Sequence, residues 1–231
     1  VRGVLFVVLL TFYAVDSYAE ILPNLTWGRS VVKVMADSRT GRVSMGSGVV
    51  VAPNRIATNC HVTRSAQSIT VIKGINRYKV SAQSVEMTKD VCVLHTQNLR
   101  LPSAKLGNVE DAEIGQQVFV FGFPGAVGLS MVRGVVSARY PYLSSWIVET
   151  DAGFMRGTSG GALFDVDGHL LGLPTFMMKD ASGGHFYAVP TAWISQISKQ
   201  QALPVAPLSG TTFWENQKLF LQRGDSVHNE N

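Results

Sequence analysis

The chain has 231 residues, of which 46% are hydrophobic and 16% charged, with a formal net charge of +4 and a mean hydropathy of +0.16. That is ample material for one compact domain or two closely packed subdomains. The basic residues are scattered singly, which excludes a nucleic-acid stripe, while two cysteines without metal-site spacing and the lack of a His-Glu-x-x-His run exclude a zinc hydrolase.

In chain order, Arg2 precedes an apolar run over residues 4–10, and Ser17-Tyr18-Ala19 precedes Glu20. This predicts a secretory signal peptide over residues 1–19, cut after Ala19. The run is shorter than the about 20 residues a bilayer span needs. The expected product is therefore exported, periplasmic or secreted, with no stable membrane span after cleavage; an uncut leader would change only the address. Residues 20–202 read as the folded domain. Within it, residues 31–34, 44–51, 69–72, 78–80 and 91–94 read as strands, separated by glycine, proline or polar clusters. Residues 101–113 connect these to a second set at 117–121, 130–138, 146–150, 162–164, 170–173 and 186–189, with a turn at Asp165-Val166-Asp167-Gly168. Residues 190–197 read as a proline-started helix burying Trp193 and Ile197. Residues 203–231 form a proline- and polar-rich tail with an amphipathic stretch at 213–221.

Three segments carry residues suited to chemistry. Gly46-Ser47-Gly48 opens a strand, a turn at Pro53-Asn54 and a second strand that ends on Thr58-Asn59-Cys60-His61-Val62. In Lys89-Asp90-Val91-Cys92-Val93-Leu94, an aspartate opens a run of β-branched and aliphatic residues. The third segment is Asp151-Ala152-Gly153-Phe154-Met155-Arg156-Gly157-Thr158-Ser159-Gly160-Gly161-Ala162-Leu163. A serine hydroxyl attacks well only when a base takes its proton and donors await the oxyanion. The glycines around Ser159 let backbone N–H groups approach a carbonyl. Each segment alone reads equally as a loop, a cap or a hydrogen-bonded histidine; the order His, Asp, Ser is what joins them.

Together with Gly122-Phe123-Pro124-Gly125, Gly134-Val135-Val136-Ser137, Thr150-Asp151-Ala152, Gly168-His169-Leu170-Leu171-Gly172 and Ala188-Val189-Pro190, these segments resemble the chymotrypsin-fold serine proteases, nearest the HtrA/Deg-type bacterial peptidases, over about residues 30–198. The resemblance implies an all-β fold of two antiparallel six-stranded barrels, about 27–105 and 115–190, with a cleft between them. It implies His61 as base, Asp90 as its orienting carboxylate, Ser159 as nucleophile, and Gly157 and Ser159 as oxyanion donors. Thr158 stands where relatives usually have asparagine. Gly153, Pro174 and Phe186 would wall the primary pocket, with Thr175 and Met177 on the strand that pairs with substrate. No acid sits at the pocket base, and Phe186 replaces a usual glycine, so small or medium apolar residues are expected before the cut. His185, beside the slot, is read as solvent-facing. Cys60 and Cys92 would lie side by side, either bonded or packed as two small thiols. Polypeptides are the expected partners, with no metal or cofactor. The oligomeric state stays open, although relatives often trimerise through an N-terminal segment and Trp27 is an aromatic suited to such a contact. Too few residues follow the domain for the PDZ module of many relatives. The competing function is a catalytically silent, secreted binding pseudoprotease. An α/β-hydrolase esterase is disfavoured because its histidine comes last.

Overall fold

The computed structural model describes residues 25–181 and 183–215; the expected leader lies outside them. The first half holds β1 (Val31–Ser38), β2 (Val43–Ala52), β3 (Arg55–Thr58), the single-turn helix α1 (Cys60–Thr63), β4 (Ala66–Lys73), β5 (Asn76–Lys79), β6 (Ala82–Glu86) and β7 (Val91–His95). After β8 (Lys105–Leu106) come β9 (Gln117–Gly122), β10 (Ser130–Tyr142), β11 (Ser145–Thr150), β12 (Ala162–Phe164), β13 (His169–Asp180), β14 (Gly183–Pro190), helix α2 (Thr191–Ile197) and β15 (Leu203–Pro204). The first sheet runs β15-β6-β7-β3-β2-β1-β4-β5 and curls into a half-barrel; the second runs β12-β9-β10-β11-β14-β13-β8 and closes through β12–β13. The expected all-β, two-barrel architecture is thus present, with full closure in the second barrel.

Alternation along the strands builds three layers of core, because successive side chains point to opposite faces. On β9, Val118 and Val120 point into the second barrel with Val136, Val148 and Leu163. Their neighbours Phe119 and Phe121 point into the seam between the sheets, where they join Val31, Val49 and Val93 of the first sheet. On β1, Val32, Val34 and Ala36 fill the first sheet's own core with Ile56, Ile69 and Leu94. Trp27 packs against Phe119 and Phe164 in the seam, so this aromatic serves the chain's own core.

Two features were not read from the sequence. The strand β6 carries Gln83, Ser84 and Glu86, a polar composition that hides it. Two of its buried donors find acceptors on the C-terminal side of the chain: Gln83 Nε2 donates to the Ala206 carbonyl (3.1 Å) and Ser84 Oγ to that of Gln200 (3.2 Å). The second is the segment 203–215, read from sequence as a tail outside the domain. It adds β15 antiparallel to β6, then crosses the first sheet with Leu208 N–H on the Arg64 carbonyl and Phe213 N–H on that of Thr88. Its signal was weak because the contacts that dock it on the domain are long-range.

Candidate active site

Antiparallel pairing of β3 with β7 sets Thr58 opposite Cys92, which brings the residues just after β3 beside those just before β7. Cys60 and Cys92 are bonded there, with Cα atoms 5.0 Å apart. Asp90 takes a positive φ of 54°, a conformation short polar residues tolerate best after glycine. Its own carbonyl accepts from Asn59 Nδ2 (2.9 Å) and its N–H donates to Met87. The side chain is fully buried, and a buried carboxylate needs partners for its oxygens. It has three: His61 N–H donates to Oδ1 (2.8 Å), while His61 Nδ1 (2.7 Å) and Trp214 Nε1 (2.9 Å) share Oδ2. Because a carboxylate only accepts, Nδ1 carries the proton, and in the neutral ring Nε2 keeps its lone pair. The imidazole is 24% exposed, enough to meet a partner from the cleft.

The Ser159 loop is clamped to this wall. Gly160 has φ +79°, and a Cβ there would collide with Thr58 Oγ1 and the Ser47 carbonyl, so only glycine lets the loop lie this close to the start of the histidine turn. Ser47 N–H donates to the Ser159 carbonyl (2.8 Å). Ser47 Oγ donates to the Gly157 carbonyl (2.7 Å) and accepts from Phe123 N–H (2.9 Å). Ser159 Oγ donates to the Thr175 carbonyl (3.3 Å); among the described residues no hydrogen bond joins it to His61. Thr175 itself is linked back to the histidine wall, since its Oγ1 accepts from Asn59 Nδ2 (2.9 Å). Gly157, at φ +98°, follows a peptide whose carbonyl, on Arg156, accepts from Gly125 N–H (2.8 Å). In a trans peptide C=O and N–H point opposite ways, so the Gly157 N–H is directed away from that contact. Thr158 is buried, and the loop around it is ordered by backbone bonds from Thr158 N–H to Met155 and from Gly161 N–H to Thr158.

On the side where the sequence places the substrate pocket, Pro174 is buried and its carbonyl accepts from Gly160 N–H (2.9 Å). From Pro174 onward β13 pairs only with β14, so Thr175 to Met177 lie on an open edge. Met177 is 42% exposed. Phe186 pairs across from Met177, sits against Phe154 at a ring separation of 5.1 Å, and leaves no more than contact distance above Gly153. Behind the loop a cavity of about 70 Å³ is bounded by Gly153, Phe154, Met155 and Thr158 and by Val120 and Val132. His185 corrects its sequence reading: half-buried, its Nδ1 lies 2.8 Å from Glu149 Oε1, and Tyr140 Oη donates to Glu149 Oε2 (2.7 Å). Among the described residues Asp165, Asp167 and His169 gather ligand-type atoms within 4.8 Å; Asp165 Oδ1 there accepts from the N–H groups of Asp167 and His169, which holds the β12–β13 turn.

Sequence reasoning missed two residues at this site. Ser47 lies in a segment that was singled out, but only its neighbours' glycines suggested why. Trp214 showed only as part of the amphipathic stretch at 213–221, with nothing to tie it to Asp90.

Among the described residues no helix is long and apolar enough to cross a membrane. The family profile of the trypsin-like peptidase domain matches residues 46–173, more than half of the chain. Proteins named probable periplasmic serine endoprotease DegP-like are similar: one from Pseudomonas savastanoi pv. phaseolicola is 30% identical over 165 residues, covering 68% of this chain and 34% of the relative. Another from Halomonas elongata is 32% identical over 157 residues, covering 64% and 33%. The chain therefore spans about a third of the length of these relatives. Among solved structures, the HtrA-type protease AlgW with a tripeptide superposes with a TM-score of 0.68 at 26% identity, covering 74% of this chain and 60% of that one. The M. tuberculosis protease Rv3671c in its active form shares the fold, with a TM-score of 0.71 at 23% identity over 85% and 91%. With the profile spanning the segments of His61, Asp90 and Ser159, the chain belongs to the trypsin-like peptidase family.

Proposed function

We propose that this chain is a serine endopeptidase that cleaves polypeptides through an acyl-enzyme, with Ser159 as nucleophile, His61 as general base and acid, and Asp90 as the carboxylate that orients it. The observation carrying this reading is the His61–Asp90 bond of 2.7 Å on a wall clamped to the Ser159 loop through Ser47 and Gly160. In the proposed cycle, Ser159 Oγ leaves the Thr175 carbonyl by rotation about its Cα–Cβ bond and passes its proton to His61 Nε2 as it attacks the scissile carbonyl. Catalytic hydrogen bonds are often loose before substrate arrives and tighten in the complex. An extended substrate adding to the open edge of β13 would offer its own N–H to the Thr175 carbonyl, displacing the serine toward the histidine. The oxyanion then takes the N–H groups of Gly157 and Ser159; one such donor is worth about 2.7–4 kcal/mol in the transition state. The protonated His61 returns its proton to the leaving amine, and water repeats the sequence on the ester.

Phe186 packed over Gly153, and the small size of the cavity behind the loop, support a preference for small or medium apolar residues before the cut. Export to the periplasm or beyond is supported by the names of the relatives, by the expected leader and by the Cys60–Cys92 bond, which oxidising compartments preserve. A second reading, a silent binding module, draws on one observation: Ser159 Oγ rests on Thr175 and not on His61. A proteome-derived peptide mixture digested by the purified protein separates them. The peptidase reading expects new termini after small apolar residues, absent with S159A; no cleavage by the unmutated protein, or equal cleavage by S159A, contradicts it.

A further inference from the structure

We infer that Trp214 is a positioning residue, whose indole N–H, carried across the first sheet by the segment after β15, fixes the Asp90 carboxylate that orients His61. Trp214 Nε1 lies 2.9 Å from Asp90 Oδ2, the same oxygen that His61 Nδ1 approaches to 2.7 Å. The ring is held on both sides. It stacks on Phe176 with centroids 5.6 Å apart and planes 12° apart, and meets the His61 ring edge-on at 5.5 Å and 87°. Its neighbours anchor the segment to the turn that carries Asp90. Phe213 N–H donates to the carbonyl of Thr88 (3.0 Å), two residues before Asp90, and the Phe213 ring is buried against Tyr142 (4.8 Å), Phe176 (5.7 Å) and Trp193 (6.0 Å). On the other side Glu215 takes a two-pronged ion pair from Arg64, at 2.6 and 2.7 Å.

The chemistry of the indole explains why this residue type suits the place. Its N–H donates and cannot accept, so it supports the carboxylate only as an acceptor. A hydroxyl in the same position could turn and serve a protonated acid as well. A phenyl ring could still stack on Phe176 and meet His61 edge-on, so aromatic contact alone does not call for the nitrogen. The inference rests on the proposed role of His61 and Asp90 in activating Ser159.

The test compares Trp214→Phe with the unmutated protein by the rate of fluorophosphonate labelling of Ser159 across pH, and by the low-field NMR resonance of the His61 Nδ1 proton. The variant keeps an aromatic ring in place but loses the donor together with part of the ring, so the resonance, which packing loss alone would leave in place, is read beside the rate. Labelling is expected to slow about tenfold, the lower range for a hydrogen bond to a charged group. The Nδ1 proton is expected further downfield, because Oδ2 no longer divides its electron density between two donors. An unchanged rate with an unmoved resonance would overturn the inference, and so would faster labelling, which would make the ring an obstruction of the cleft. If the unmutated protein takes no label while the resonance still moves in Trp214→Phe, the bond's influence on the pair stands and the peptidase reading falls instead. Should Trp214→Phe lose its fold, the indole N–H resonance in Asp90→Asn reads the same bond from its other end; a shift supports the inference and an unmoved signal refutes it.

Discussion

On the His61 side of the cleft the Asp90 side chain is already committed: the fully buried carboxylate holds three donors and a disulfide ties its turn to the histidine helix. On the Ser159 side the frame is equally firm, through Ser47 and Gly160, but the reacting hydroxyl rests on a backbone carbonyl 16 residues further along the chain. The two walls therefore divide the work. On the proposed mechanism, folding assembles the base and its orienter, while alignment of the nucleophile is left to a side-chain rotation that substrate can drive. A buried carboxylate with both oxygens bonded tolerates little rearrangement, whereas an accessible hydroxyl changes rotamer on a picosecond-to-nanosecond scale.

The comparison can be broken most strongly by removing either reacting group. Ser159→Ala and His61→Ala are each expected to lower turnover by about 10⁶, and the double variant by little more, because groups acting as a unit are not additive; peptide hydrolysis kinetics check this. Asp90→Asn should cost roughly 10⁴ by imposing the wrong tautomer on His61 while leaving Ser159 untouched, so the two walls become separable in one assay. Replacing both Cys60 and Cys92 by serine should destabilise the fold by about 3–4 kcal/mol on the chain-entropy estimate for a loop of this length, as read by denaturant unfolding with and without reductant. Ser47→Ala strands the buried N–H of Phe123 and frees the Gly157 carbonyl. Its expected cost is about 1–3 kcal/mol, with slower Ser159 labelling and an intact His61–Asp90 resonance.

The smallest effect concerns the strap that carries Trp214. The Arg64 hydrogen bonds, with help from Thr212 N–H, hold the Glu215 carboxyl down to about 2 from its ordinary 4.5. A depressed folded value means that the stabilisation is complete above about 4.5 and is lost as pH falls toward about 2. Both side chains are 30% exposed, so the pair is a modest one. Unfolding midpoints of the unmutated protein and Glu215→Gln should differ slightly near neutral pH and converge in that acid window; a gap that persists below it contradicts the assignment.

Much of this was legible before any coordinates. The apolar runs in residues 117–121 and 146–150 mark strands because both faces of each meet a core, and the glycines beside Ser159 mark a loop pressed against backbone. His61 and Asp90 were legible as a pair through motif order, and the structure sets them 2.7 Å apart. What stayed hidden depended on distant partners. Gln83 and Ser84 look like loop residues until the segment after α2 supplies their acceptors. Phe213 and Trp214 look like one side of an amphipathic stretch; their value lies in Phe176, Thr88 and Asp90, more than thirty residues away in each case. The role of Ser47 is of the same kind, since a serine between two glycines carries no local sign that it will bond Gly157 and Phe123 across the cleft.

The central claim, that the committed base on one wall activates the hydroxyl on the other, is tested most directly by mass spectrometry of the protein after fluorophosphonate treatment. The account predicts a single adduct on the peptide containing Ser159, absent in Ser159→Ala and formed far more slowly in Asp90→Asn. An unmodified Ser159, or an adduct that forms as fast without the Asp90 carboxylate, would contradict it.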